Sequence, residues 1–353
     1  VRSRARLRRE RRAARRNVRG VAIDLTASTL DLPLVHRFTI ARSSVDVERT
    51  VLVRLRWNGI DALGESAPIA RYGESVESVI AALDGRTYGD DPYALDTLLA
   101  ELPPAARCGL DVALHDCIGK DVDRPLWRLL GLDPSRTPLT SFTIGIAPLD
   151  ETIAKVRDVG DHPVIKVKLG TGNEVETIAA IRAIYTGTIR IDANEGWTPE
   201  AAVSILGEIA RYGIEFCEQP IPAGTPERLR WIRERTTIPI VTDEDSKDAA
   251  DLPRLAGCVD GINVKLVKCG GVRGALAMIH TARALGLKIM LGCMIESAIL
   301  QAAAAHLSPL VDWADIDGAF LVKHDPFAGI SYANGKIVLP AGAGLGVRER
   351  TAA

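Results

Sequence analysis

VIKVKLG, residues 164–170, reads as a short β-branched strand. Runs of this kind are normally buried on both faces of a parallel sheet. This one also carries Lys166 and Lys168, two positions apart and so on one side of the strand. Two ammonium groups aimed from a buried strand at one place require acids, or a chemical task, opposite them.

The same pattern recurs on either side. LTSFTIGI, VIKVKL, TIRIDA, GIEFCEQ, IPIVTDE, GINVKLV, KIMLGC and WADID follow one another at nearly even steps from about residue 139. Amphipathic stretches such as EVETIAAIRAIY, EAAVSILGEIARY and VRGALAMIHTARAL lie between them. This α/β spacing predicts a closed parallel barrel over 136–318 rather than an open sheet. Upstream, VAIDLTASTLDL and VERTVLVRLRWNGIDALGESAP predict strands with a turn at Asn58-Gly59. Helices are expected over about 75–84 and 92–119, making 20–135 an α+β domain. Residues 319–353 hold no further βα unit and are expected to pack back on that first domain.

Composition narrows the function classes. The chain has 353 residues, 47% hydrophobic and 25% charged, an ordinary globular balance. No apolar run approaches the roughly eighteen residues of a spanning helix. The six cysteines form no CxxC pair, which predicts free thiols in a reducing, cytoplasmic setting and no zinc site. The net charge of -1 conceals an asymmetry. Residues 1–19 hold ten arginines and one glutamate, while the remainder has 44 acids against 34 Lys and Arg. The arm is expected to be a disordered appendage. It could bind an acidic surface, but so acidic a body argues against a chain organised around nucleic acid.

Position within the repeats is informative. Lys168, Asp192, Glu218, Asp243, Lys265, Cys293 and Asp315 each end a predicted strand, separated by 24, 26, 25, 22, 28 and 22 residues. In a parallel barrel those ends converge on one mouth, where active sites lie. Asp192, Glu218 and Asp243 come from consecutive strands. Three converging carboxylates are hard oxygen ligands suited to Mg²⁺. Lys168 and Lys265 flank them from opposite sides. A lysine must be brought down by roughly three pH units to act as a base at neutral pH. A like charge on Lys166 about 7 Å away would supply on the order of 2.4 kcal/mol of that at an effective dielectric of about 20. Two lysines astride a metal suit abstraction of a proton α to a carboxylate, with an enediolate as the stabilised species.

KVK, DANEGW, CEQP, TDED and NVKLVKCGG, in this order and spacing, resemble the enolase superfamily, muconate-lactonizing-enzyme subgroup. The resemblance spans residues 20–353 and implies a modified (β/α)7β barrel of TIM type with an α+β capping domain. It implies catalytic lysines at Lys168 and Lys265, not Lys268, and Mg²⁺ ligands at Asp192, Glu218 and Asp243. Within the subgroup, FTIAR, ARYGES, FTIG, LGCMIES and ADIDG are most similar to dipeptide epimerases of the L-Ala-D/L-Glu type. That similarity implies that Asp315 and Asp317 bind the α-ammonium group of a dipeptide, with Thr143, Lys166 and Cys293 as further contacts. It also implies a place in cell-wall peptide metabolism.

Relatives that prefer a glutamate side chain often carry an arginine after the FxIAR-like stretch, where this chain has Val45. Arg37, Arg42 or Arg71 could replace it. N-acylamino acid racemisation and o-succinylbenzoate synthesis are the alternatives within the subgroup, and neither substrate has a free amine for Asp315 and Asp317. The expected partner is a small-molecule dipeptide, and the sequence allows a homo-oligomer.

Overall fold

The computed structural model describes residues 21–40 and 43–350; the arginine-rich residues 1–19 lie outside that range. Two long antiparallel strands, β1 (Asp24–Ile40) and β2 (Ser43–Trp57), open the chain, and β3 (Ile60–Ser66) pairs with β2. Asn58 and Gly59 both take positive φ, 49° and 76°, as a two-residue turn between right-twisted strands requires. The β1–β2 register shifts between Pro33 and Phe38, where proline has no amide hydrogen to donate. Beyond that irregularity the hairpin lies on the barrel. Leu32 and Leu34 bury against Ile295 and Val322, and the Ile146 amide donates to the Thr39 carbonyl at 3.1 Å.

The helix Val76–Leu83 starts at Ser75, whose hydroxyl accepts the Ser78 amide. The stretch 92–119 does not form one helix. A single turn, Leu95–Leu98, is followed by left-handed Glu101 and then by the helix Pro104–Asp121. The break follows from Pro103 and Pro104, which cannot donate within a helix, and Pro104 occupies the first helical position where none is needed. This helix sits close against β3. A Cβ on Gly64 would come within 2.1 Å of the Gly109 carbonyl oxygen, so both positions must stay without side chains.

The second unit is the predicted parallel barrel. Strands β4 (Phe142–Ile144), β5 (Val164–Lys168), β6 (Thr188–Asp192), β7 (Ile214–Glu218), β8 (Ile240–Thr242), β9 (Gly261–Val264), β10 (Lys288–Gly292) and β11 (Trp313–Asp315) pair in chain order. A parallel bridge from Thr140 to Ala314 joins the first strand to the last. A helix separates each strand from the next, and only the turn Gly318–Leu321 follows the eighth, giving (β/α)7β. Phe216, Val241, Met290 and Trp313 form a buried apolar layer. Two residues further along the same strands, hence on the same inner face, stand Glu218, Asp243, Gly292 and Asp315. The floor is apolar and the mouth is charged. No helix among the described residues is long and apolar enough to cross a membrane.

The chain then returns to the first unit. β12 (Phe327–Ala328) pairs with β15 (Arg348–Glu349) around the hairpin β13 (Ser331–Ala333) and β14 (Lys336–Val338). The Leu126 amide donates to Gly344, and the Leu345 amide donates to Asp116 Oδ1 at 2.8 Å. Asp116 Oδ2 accepts from the Leu63 amide at 2.9 Å and from Lys120 at 2.7 Å. One buried carboxylate therefore ties three segments. Replacement Asp116→Ala, which strands those donors, is expected to cost about 3 kcal/mol, read as a lower urea midpoint with an unchanged m value.

Candidate active site

β5 to β8 set the acids in register. Lys168 lies opposite Asp192, and Asp192 opposite Glu218, on neighbouring strands, while Asp243 follows the end of β8. Asp192, Glu218 and Asp243 are 0%, 0% and 3% exposed. Two of them are oriented by neutral donors: Asp192 Oδ1 by the Asn194 amide at 2.9 Å, and Glu218 Oε1 by Asn263 Nδ2 at 2.6 Å. The Asp243 amide in turn donates to Gln219 Oε1 at 3.0 Å. Gln219 holds this post in a left-handed conformation, φ 35°, with its amide nitrogen donating to Asp245.

The lysines interleave with these acids. Lys168 Nζ donates to Asp192 at 2.6 Å and Lys265 Nζ to Asp243 at 2.8 Å. Since β5 and β9 are four strands apart in an eight-stranded barrel, the two ammonium groups reach the acid cluster from opposite walls. Lys166 lies deeper, 2.5 Å from Asp315, 2.7 Å from Glu218 and 3.3 Å from Asp192. This corrects the expectation that Lys166 acts on Lys168 by like-charge repulsion. Burial alone would lower the Lys166 pKa, but its three carboxylate neighbours hold it well above the ordinary lysine value. Its charge is balanced where it stands.

Titration directions follow from the same geometry. Burial pushes Asp192 and Asp243 up, but the adjoining lysines outweigh it and both carboxyls sit well below the usual range. Glu218 is pushed up to about 7 by burial and by Asp192, with Lys166 opposing. Lys268 also reaches Asp243, at 2.5 Å, but its three N–H groups are further shared among the carbonyls of Asp243, Ser246 and Asn263 at 2.7, 3.1 and 3.1 Å. Its protons are all engaged by fixed acceptors. Among the described residues, Lys265 bonds Asp243 and the Met294 sulfur, the latter at 3.9 Å.

The remaining sequence candidates gather beside this cluster. Asp315 accepts from Ser141 Oγ at 2.6 Å as well as from Lys166. Asp317 accepts the Thr143 backbone amide at 2.7 Å on one oxygen and faces the Cys293 thiol at 3.8 Å on the other. Burial and the neighbouring Asp315 raise Asp317 to about 6, and burial pushes the Cys293 thiol well up. Thr143 opposes the rise at Asp317 through its side chain and its main-chain amide. Among the described residues no group of His, Cys, Asp and Glu forms a ready-made metal cage, because ammonium groups sit among the three acids.

Of the arginines weighed against the missing acidic-side-chain partner, Arg71 is bidentate to Glu195 at 3.0 and 3.2 Å. Arg37 bonds Ser44 at 2.7 Å on the exposed hairpin, and Arg42 lies outside the described residues. Several functional neighbours carry no sequence signal of the kind used above. Gln219 and Asn263 are neutral, Ser141 precedes its strand, and Glu65 comes from the first domain. The Glu65 carboxylate, fully buried and raised by that burial, accepts from Thr50, Ser297 and Leu300 at the start of the helix Ala298–Leu307.

A (β/α)7β barrel with an α+β cap and alternating buried acids and lysines at the C-terminal mouth is the architecture of a proton-transfer enzyme. The chain belongs to the enolase superfamily: residues 22–131 match the mandelate racemase / muconate lactonizing enzyme N-terminal domain, and residues 149–353 the enolase C-terminal domain-like family. A Bacteroides thetaiotaomicron protein named L-Ala-D/L-Glu epimerase is 36% identical over 340 residues, 94% of this chain and 89% of its own. A Pedosphaera parvula protein named L-Ala-D/L-amino acid epimerase is 38% identical, covering 91% and 98%. The structure of a dipeptide epimerase from Enterococcus faecalis V583, complexed with Mg and L-Leu-L-Tyr, is 30% identical over 93% of this chain and 99% of that one, with a TM-score of 0.86.

The two lysines on Asp243 should separate experimentally. Lys268→Met abandons four buried acceptors and is expected to cost about 3 kcal/mol of stability, measured by chemical denaturation. Lys265→Met, which leaves the Lys268–Asp243 pair in place, is expected to lower the unfolding midpoint far less.

Proposed function

We propose that this protein is a Mg²⁺-dependent dipeptide epimerase. It inverts the α-carbon of the C-terminal residue of an L-Xaa-Xaa dipeptide, L-Ala-D/L-Glu or a related pair, with Lys168 and Lys265 as the acid/base pair. The observation that carries this reading is the opposed placement of the two lysines, each within hydrogen-bond reach of an outer acid of one carboxylate trio. Amines on opposite walls suit proton removal from one face and delivery to the other of a carbon held between them.

The donor set suits the metal. Asp192, Glu218 and Asp243 offer hard oxygens from rigid strand ends. Glu218 Oε2 is buried and meets no hydrogen-bond donor in acceptable geometry, only the Lys166 ammonium as an ion pair at 2.7 Å, so it keeps lone-pair capacity that a hard cation can share. When bound there, Mg²⁺ supplies a Lewis acid for the substrate carboxylate. The chain's own residues do the rest. Contrary to the lowering expected from the sequence, burial lowers the Lys265 pKa but Asp243 and Glu218 hold it above the ordinary lysine value. With a cation on those acids, a lysine that has lost its proton would take the α-proton on one face and the protonated lysine on the other would deliver one to the planar carbon, the two exchanging protonation states in each turnover. Asp315 and Asp317 take the substrate's ammonium end. Thr143, Lys166 and Cys293 complete the wall.

An oxygen of Asp317 that meets only a weak thiol donor favours a substrate with an amine over the N-acyl alternatives. The free, mostly buried thiols accord with a cytoplasmic protein. Peptides released in cell-wall turnover suit such a substrate class.

L,L-dipeptides incubated with the enzyme and Mg²⁺ in D₂O are expected to exchange and invert at the C-terminal residue's α-carbon. EDTA should stop both, and Lys168→Ala or Lys265→Ala should slow inversion by at least about 100-fold. Absence of exchange across a broad dipeptide library would overturn the assignment. Persistence of full activity in the Asp315→Asn, Asp317→Asn double variant would move it to an amine-free substrate.

A further inference from the structure

The seam between β4 and β11 is held more by side chains than by its short ladder. The Ser141 amide reaches the Ala314 carbonyl at 3.2 Å, and Thr140 Oγ1 accepts the Ile316 amide at 2.8 Å. Into this seam runs Arg190, a residue 3% exposed on β6, two positions before Asp192 and so on the inner face. Its guanidinium passes β5 and β4 and donates to the Ala314 carbonyl at 2.6 Å and to Ser141 Oγ at 3.3 Å. Its other edge pairs with Glu215 at 2.6 Å. No step of the chemistry above uses it.

A serine hydroxyl has one proton and can donate or accept. Two acceptors compete for the Ser141 proton: Asp315 Oδ1 at 2.6 Å and the Ala314 carbonyl at 3.4 Å. Arg190 settles the competition, because it engages the carbonyl and also donates into the Ser141 oxygen. The only open direction for the proton is Asp315. The other Asp315 oxygen is taken by Lys166. Asp315 is thus fixed at both oxygens by buried donors, whereas Asp317 is held firmly at one only.

We propose that Arg190 and Ser141 are positioning residues that act through Asp315, fixing the carboxylate at the ammonium end of the substrate site. The inference rests on the dipeptide reading above. Asp315 provides a stationary negative charge, and Asp317 keeps an oxygen for the incoming ammonium. Neither Arg190 nor Ser141 touches the reacting carbon. Their loss therefore alters how well the amine is received and leaves the proton transfers alone.

The test uses the L-Ala-L-Xaa dipeptide that wild-type enzyme epimerises fastest at saturating Mg²⁺, with its N-acetyl derivative as a competing ligand. Ser141→Ala is expected to raise KM about tenfold, the scale of one hydrogen bond to a charged group, with kcat within twofold. The inhibition constant of the N-acetyl compound, which has no ammonium, should stay unchanged. Arg190→Met should move KM in the same direction. If it does not fold, Ser141→Ala, which deletes a single hydroxyl, decides alone. An unchanged KM in a Ser141→Ala protein of normal melting temperature would overturn the inference. So would parallel losses in kcat, KM and N-acetyl inhibition. If the wild type epimerises no dipeptide, the functional reading itself has failed, and this inference with it.

Discussion

Charge balance inside the barrel mouth governs the rest of the molecule. Asp192, Glu218, Asp243 and Asp315 stand there with Lys166, Lys168, Lys265 and Lys268, all but Lys168 under a tenth exposed. Taking even one such group out of water costs several kcal/mol unless a partner of opposite sign is close. The structure meets that cost by alternation. Each acid touches at least one ammonium group, and Lys166 and Asp243 each link more than one partner. A site of this kind is not built for stability, because apolar residues of similar volume would hold a barrel at least as well. It is built to hold charge in an orderly way that a substrate and a cation can redistribute.

The first domain packs over the barrel mouth. Its long hairpin lies against Ile295 and Val322 at the mouth, its Glu65 caps a barrel helix, and Arg71 grips Glu195, three residues beyond Asp192. Glu195 in turn accepts the amide of Ala223 from the loop after β7. The cap is thus tied to the loops that follow the strands carrying two of the three acids. This also explains why Arg71 does not stand ready for an acidic substrate side chain.

Much of this was legible in the sequence because two periodicities coincided. Apolar segments recurred at the βα repeat, and polar residues fell at the same phase of each repeat, so barrel and mouth could be read together. Lys168 and Lys265 emerged on opposite walls for that reason. Three things were not legible. The helix expected over 92–119 broke at Pro103-Pro104, a local rule overlooked in favour of a long apolar stripe. The like-charge role given to Lys166 neglected Asp315, which sequence distance hides and barrel closure brings within 2.5 Å. Arg190 looked like an ordinary strand residue, since nothing in TIRIDA says that its guanidinium crosses two strands to reach the seam.

The bond between the Leu345 amide and Asp116 joins residues 229 positions apart, and a Cβ on Gly119 would lie 2.5 Å from Gly344 Cα. The cap is therefore assembled from segments on either side of the barrel in sequence, with all eight barrel strands between them. The buried acid of the helix Pro104–Asp121 thus depends on a partner that follows the entire barrel in sequence. Contacts of such long range form late and slowly. Loss of the 340–346 segment would therefore strip the Asp116 carboxylate of its Leu345 donor and loosen a helix more than two hundred residues upstream.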